Sequence, residues 1–221
     1  MCITMADPDS RMGTRYADEA TLEYLAKVHT PHDEALRAAF EAHQRHGVPP
    51  IHVGPAEGKL LALWLRAIGA TKVVEVGTLA GYSAIWMGRA LPAGGKLWSI
   101  EHDPKHAAIA RENVALAGLS ETVEVRLGDG LEVLAELEDE GPFCAVFIDA
   151  DKERYDRYGR WALGHLRSGG LLLGDNAYLF GSLMAEDERA AAMRRFHEEA
   201  AEALESVCAP TPDGLLVGRK R

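Results

Sequence analysis

From residue 72 onward the chain alternates short apolar runs with longer amphipathic segments, and this alternation restricts its fold more than any other feature. KVVEV, KLWSI, TVEVRL, CAVFI and GLLLG read as strands. Between them SAIWMGRAL, PKHAAIARENVALAG, GLEVLAEL and ERYDRYGRWALGHL read as helices. A helix in each gap supplies the crossover that parallel strands require. The pattern therefore predicts a doubly wound α/β sheet, mostly parallel, with helices on both faces. After the helical pattern Glu186–Leu204, the tail ESVCAP-TPDG-LLVGRK predicts an antiparallel hairpin. Upstream, Tyr16–His29, His32–His46 (with Leu36, Phe40 and His43 at helical spacing) and Ala56–Ile68 predict N-terminal helices, and GVPPIHVGP a loop. No repeat or linker interrupts the chain. We expect one domain over residues 1–221, with 1–14 flexible, 15–69 a helical addition and 70–221 a Rossmann-like core.

Charge and cysteine usage narrow the partners. The formal charge is −10, and no basic block exceeds the terminal RKR; a chain that tracks phosphates needs a basic footprint, so nucleic acid is disfavoured. No stretch approaches the roughly 20 apolar residues of a membrane span. Acidic residues stand near the start where a signal peptide needs an apolar run. Cys2, Cys144 and Cys208 form no CxxC pair, which argues against a disulfide framework and suits a reducing compartment. The expectation is a cytoplasmic enzyme acting on a small molecule.

In open α/β sheets, ligands bind beyond the carboxyl ends of the strands. The first such end reads Glu75-Val-Gly77-Thr-Leu-Ala-Gly81-Tyr-Ser83. Gly77 and Gly81 permit close backbone approach, and Ser83 opens a helix whose N–H groups can receive a carboxylate. The spacing is GxxxG, not the GxGxxG of dinucleotide sites, and Glu75 would repel a pyrophosphate while welcoming an ammonium or sulfonium. Glu101 ends the second strand, where it can accept ribose hydroxyls, a feature shared with NAD binders. Gly128-Asp129-Gly130 follows the third.

Asp149 ends the fourth strand and Asp175-Asn176 the fifth. If these strands are neighbours, two carboxylates and an amide converge, hard oxygen donors suited to Mg²⁺. Three protein ligands leave three octahedral places, for two oxygens of a chelating substrate and one water. Carboxylates at strand ends are also common helix N-caps, which is the alternative for any single one. Lys152, three residues beyond Asp149, lies one helical turn away. Like charges nearby disfavour a protonated lysine, so it can take a proton from a coordinated hydroxyl.

These residues resemble the metal-dependent catechol and caffeoyl-CoA O-methyltransferase family over about residue 50 to the C-terminus. EVGTLAGYSAIWMGRAL is similar to the family's first motif, VFIDADKERY to its metal-and-lysine motif and GDN to its second metal motif; HVGPAEG is similar to the VGxAxG of animal catechol enzymes. The resemblance implies a Rossmann-like methyltransferase sheet and S-adenosylmethionine bound by Val53 (through its backbone), Glu75, Gly77, Ser83, Glu101, Gly130, Asp149 and Asp151. It implies Mg²⁺, or another divalent ion such as Mn²⁺ or Ca²⁺, on Asp149, Asp175 and Asn176. Lys152 would be the base, with Asp149 beside it in the catalytic group, and one hydroxyl of a catechol-type phenol would be methylated by in-line displacement. A homodimer is expected, with Tyr155, Tyr158 and Trp161 as a helical stripe available for core or pairing.

Two departures bear on substrate. Catechol-specific members carry a glutamate four residues before the terminal Gly-Leu, where this chain has Pro210. Plant coenzyme-A-ester enzymes carry an asparagine where it has Phe180. With no carboxylate to hold the second hydroxyl, we expect weak regioselectivity on small catechols. Tyr178 and Phe180 are expected to wall the acceptor pocket. His52 stands beside Val53, and His43-x-x-His46 reads as solvated or core histidines rather than a second metal site. The rivals are a tRNA hydroxyuridine methyltransferase of the same family, which the charge opposes, and an NAD-dependent oxidoreductase, which the missing GxGxxG opposes.

Overall fold

The computed structural model describes residues 18–221. The segment expected to be flexible, 1–14, and the first two residues of the expected helix Tyr16–His29 lie outside them. The chain falls into two compact units, Met1–Pro31 and His32–Arg221. In the first, α1 (Glu19–His29) begins where the Asp18 carboxylate accepts the Thr21 N–H at 2.8 Å, satisfying one of the otherwise unpaired donors of a helix start.

The second unit opens with α2 (Glu34–Phe40) and α3 (Ala42–His46), where one helix over His32–His46 was expected. The Asp33 carboxylate caps the Leu36 N–H at 3.0 Å, which sets the start at Glu34, and Glu41 (φ −88°, ψ 8°) leaves helical geometry and divides the segment. In α4 (Pro55–Ala67), Pro55 fills the first helical position and the Glu57 carboxylate accepts the Gly54 N–H at 3.1 Å. Then β1 (Lys72–Val76), α5 (Tyr82–Gly88), β2 (Lys96–Glu101), α6 (Pro104–Leu116), β3 (Val123–Leu127), α7 (Gly130–Glu136) and β4 (Phe143–Ile148) alternate. The order continues with α8 (Tyr155–His165), β5 (Leu166–Gly174), α9 (Glu188–Ala203), β6 (Leu204–Ala209) and β7 (Leu215–Lys220). Strand β5 begins ahead of the apolar run GLLLG, because Leu166 already pairs with Phe143.

Among the described residues these strands build one seven-stranded sheet, β3-β2-β1-β4-β5-β7-β6. The first five are parallel, while β7 runs antiparallel between β5 and β6. The order reverses between β1 and β4, so the crevice outside their carboxyl ends is where a ligand fits. Alternation sorts the side chains. Val73, Leu97, Ala145, Phe147 and Leu173 join α4, α5 and α6 in one core; Val74, Trp98, Val146, Ile148 and Leu172 join α7, α8 and α9 in the other. Each fully buried side chain of this kind contributes roughly 1.5–3 kcal/mol.

Tyr155 and Tyr158 belong to the second core, at 0% and 1% exposure. Two of the three stripe residues are therefore interior and offer no pairing surface; the half-buried Trp161 stacks on His165 with ring centroids 4.5 Å apart. The described helices include none long and apolar enough to cross a membrane, and Cys144 and Cys208 are free thiols.

Candidate active site

A cavity of about 680 Å³ opens at the crevice between β1 and β4. Val53, Gly77, Ser83, Glu101, Gly130, Asp149, Asp151, Lys152 and Asn176 all line it, so the sheet gathers most of the residues singled out from the sequence. Glu75 and Asp175 do not reach its surface. They lie buried behind the wall, at 0% and 5% exposure.

Glu75 shares a sheet face with Val73, toward α5, and there both Ser83 and Ser99 donate their hydroxyls to its carboxyl. Burial pushes its pKa up to about 8 against those two hydrogen bonds, with the charges of Asp149 and Glu101 adding to the rise. Its direct role is thus to anchor Ser83 and Ser99, and Ser99 in turn meets the Thr78 hydroxyl at 2.6 Å. Glu101 accepts the Thr78 and Leu79 N–H groups at 3.3 and 2.7 Å and the Asp103 N–H at 2.9 Å, which fixes the glycine turn to the end of β2.

Gly77 has φ +100°, and a Cβ there would collide with the carbonyl oxygen of Asp149. The close approach that requires this glycine is made by the protein's own β4 end. Gly130 is constrained likewise, since a Cβ would lie 2.9 Å from the Tyr158 hydroxyl. That hydroxyl donates to Asp151 at 2.7 Å, and Arg154 bridges Asp151 (2.7 Å) and Asp129 (2.6 Å). The Arg154 guanidinium lowers the pKa of both acids. Asp129 also caps α7 through the Leu131 N–H, the structural role that strand-end acids commonly take.

Asp149 and Asp175 cap no helix. Burial pushes both carboxyls above the usual range, and the charge of Asp149 adds to the rise at Asp175. One Asp175 carboxylate oxygen, Oδ1, is buried with no hydrogen-bond partner, and the other accepts from the Asn176 amide at 3.3 Å. An orphaned oxygen beside a second acid and an amide is a donor set that suits a hard divalent cation. Among the described residues, no three His, Cys, Asp or Glu side chains converge as a cation site, so the candidate set depends on the Asn176 amide, and His43 and His46 form no second site. Asn176 holds φ +52°, a left-handed conformation that asparagine tolerates.

Lys152 is 9% exposed; its Nζ donates to Asp149 Oδ1 at 3.3 Å and to the Tyr155 hydroxyl at 3.1 Å. That hydroxyl lies 2.6 Å from the Asp175 carbonyl oxygen and 2.9 Å from that of Ile148. Tyr155 therefore ties the lysine to the ends of β4 and β5, a role its membership of an aromatic stripe concealed. Its spacing was a usable signal, since it follows Lys152 by the same three residues that separate Lys152 from Asp149. Arg154 carried no comparable signal. Phe180 and His52 line the cavity as anticipated; Tyr178 and Pro210 do not, whereas Asp213, which sequence reasoning passed over, does.

Residues 26–221 match the family model described as O-methyltransferase. A catechol O-methyltransferase of Niastella koreensis is 42% identical over 184 residues, covering 81% of this chain and 83% of the relative. One from Mycobacterium tuberculosis is 42% identical over 161 residues, 73% of each. Among solved structures, an O-methyltransferase from Bacillus cereus in complex with SAH superposes with a TM-score of 0.86 at 34% identity, covering 91% of this chain and 97% of that one. TomG of Streptomyces achromogenes, an O-methyltransferase of tomaymycin synthesis in complex with SAM, gives 0.85 at 32%, covering 97% and 99%.

Proposed function

The chain belongs to the O-methyltransferase family, and from that premise we propose that it transfers a methyl group from S-adenosylmethionine to one hydroxyl of a catechol-type small molecule with the help of a divalent ion. The observation that carries this reading is the grouping of Lys152 and Asp149 on the wall of one cavity with the unpaired oxygen of Asp175 buried behind it. Relatives named catechol O-methyltransferase, and solved relatives holding SAM and SAH, support the substrate class and the donor.

Asp149, Asp175 and Asn176 would hold the ion, and the chemistry it would supply there is to acidify the hydroxyl to be methylated. Val53, Gly77, Ser83, Glu101, Gly130 and Asp151 would line the donor's berth, with Glu75 acting through Ser83. Lys152 Nζ takes the hydroxyl proton, and Tyr155 and Asp149 keep that nitrogen pointed at the mouth. In the transfer an O–C bond forms as the S–C bond breaks, and its electron pair leaves on sulfur. Little covalent chemistry falls to the protein, so positioning and charge supply the acceleration.

The test is methyl transfer to 3,4-dihydroxybenzaldehyde with and without chelator, alongside calorimetric titration of Mg²⁺. We expect a methyl ether only when the ion is present, and loss of the calorimetric signal in Asp175→Ala. Undiminished turnover in EDTA-stripped protein would overturn the metal requirement.

A further inference from the structure

We propose that Asp213 orients the acceptor by holding the hydroxyl that is not methylated. This rests on the catechol reading above and makes it specific. Asp213 lies in the turn of the β6–β7 hairpin, which is latched to the chain just beyond the candidate metal ligands. The Ala177 N–H donates to the Gly214 carbonyl at 2.9 Å, and the Tyr178 N–H to the Asp213 carbonyl at 3.0 Å. A Cβ at Gly214 would come within 2.6 Å of the Tyr178 ring, so the latch is close on its side-chain face too.

The latch puts Asp213 on the cavity wall with Asp149, Lys152, Asn176 and Phe180. It is near enough for its charge to be felt at Asp149. Among the described residues no hydrogen bond or ion pair engages that carboxylate. Pro210, which stands where catechol-specific members carry their second-hydroxyl glutamate, is absent from the wall.

The chemistry follows from charge. A carboxylate accepts a hydrogen bond from a neutral hydroxyl and repels an ionised one. A lysine beside the same ring attracts the ionised oxygen. Lys152 and Asp213 therefore give the acceptor a polarity: the oxygen toward Lys152 loses its proton, and the oxygen toward Asp213 keeps it. In 3,4-dihydroxybenzaldehyde the 4-hydroxyl, conjugated with the aldehyde, is the more acidic, so it is drawn to Lys152 and the 3-hydroxyl to Asp213. The ring substituent then points one way and the enzyme favours one isomer in spite of Pro210, where weak selectivity was expected from the sequence.

The ratio of the two monomethyl ethers formed from 3,4-dihydroxybenzaldehyde tests this, measured for wild type, Asp213→Asn and Asp213→Ala. The ratio is an internal competition, unaffected by the fraction of protein folded or loaded. We expect wild type to favour one isomer by at least about tenfold and Asp213→Ala to lose at least about fivefold of that bias, about 1 kcal/mol. KM should rise more than kcat falls. The amide of Asp213→Asn still accepts but does not repel, so an intermediate ratio is expected. A wild-type ratio near unity, or variants within about twofold of wild type, overturns the proposal. So does a Mg²⁺ affinity that falls in Asp213→Ala while the ratio stays fixed, since that assigns the carboxylate to the ion. Wild type yielding no ether, with donor and Mg²⁺ shown to bind, overturns the catechol reading itself and this proposal with it.

Discussion

Replacing Tyr155 with phenylalanine removes one oxygen and leaves the packing intact, so its effect can be worked from three contacts. The ring stays edge-on to Phe196, with centroids 5.3 Å apart, and no cavity forms. The hydroxyl's neighbours lose unequally. The Ile148 carbonyl keeps the Asp175 N–H at 2.9 Å, whereas the Asp175 carbonyl has only the Tyr155 hydroxyl. One buried carbonyl is therefore orphaned, which costs about 1–3 kcal/mol. For a chain of this size each kcal/mol moves the melting midpoint by about 2–4 °C, so Tyr155→Phe should melt about 2–12 °C lower. Lys152 loses one of its two oxygen partners, and a neutral hydrogen bond of about 0.5–1.5 kcal/mol corresponds to a roughly two- to tenfold drop in kcat. Thermal and urea unfolding at one fixed pH measure the first effect, and turnover at saturating acceptor the second. A midpoint within about 1 °C of wild type would refute the hydrogen-bond assignment. A lowered midpoint with full kcat would refute the positioning of Lys152.

Three further outcomes follow from other parts of the site. Glu75 has a folded pKa of about 8 against an ordinary 4.5, so the folded chain holds a proton that the unfolded chain has released between those values. Stability should then fall as pH rises through that window, by up to about 1.4 kcal/mol per pH unit, and Glu75→Gln should flatten the trend in urea titrations at pH 6 and 8; an unchanged slope would assign it elsewhere. Gly77→Ala combines a left-handed φ with a collision at Asp149, and about 2–5 kcal/mol of stability should be lost along with Mg²⁺ binding by calorimetry; wild-type values for both would contradict the packing described. Lys152→Ala should lose activity most near neutral pH and regain part of it toward pH about 10, where a phenol ionises unaided. Lys152→Arg should not restore it; a pH-independent loss would make the lysine a positioning group.

Much of this was readable from the chain because each inference rested on a local, repeated pattern. Period-two strands with helices between them dictate the sheet, and acids at the last residue of a strand must gather at one edge whatever the loops do. What escaped depended on depth and on contacts distant in sequence. Glu75 stands at the right strand end, yet Ser83 and Ser99 hold it beneath the cavity surface. Gly77 was assigned to ligand approach because a linear motif does not reveal that the Asp149 carbonyl comes across from β4. The helix broken at Glu41 shows the limit of periodicity, since one residue in turn geometry leaves the apolar spacing almost unchanged. Asp213 was recoverable: pairing Gly174 with Leu216 brings the hairpin turn opposite Asn176, and only the topology had to be combined with the motif.

The strand that completes the mouth comes last in the chain but lies inside the sheet, between β5 and β6. During synthesis, the part of the cavity framed by β1, β2, β3 and β4, proposed above to take the donor, can assemble while the remainder is still being made. The acceptor half has to wait, because β5 keeps an open edge until β7 inserts and carries Asp213 into place. The growing chain can thus form the proposed cradle for a methyl donor before the proposed acceptor site exists. An exposed strand edge is also a template for the wrong partner, so the interval between making β5 and seating β7 leaves that edge open to mispairing.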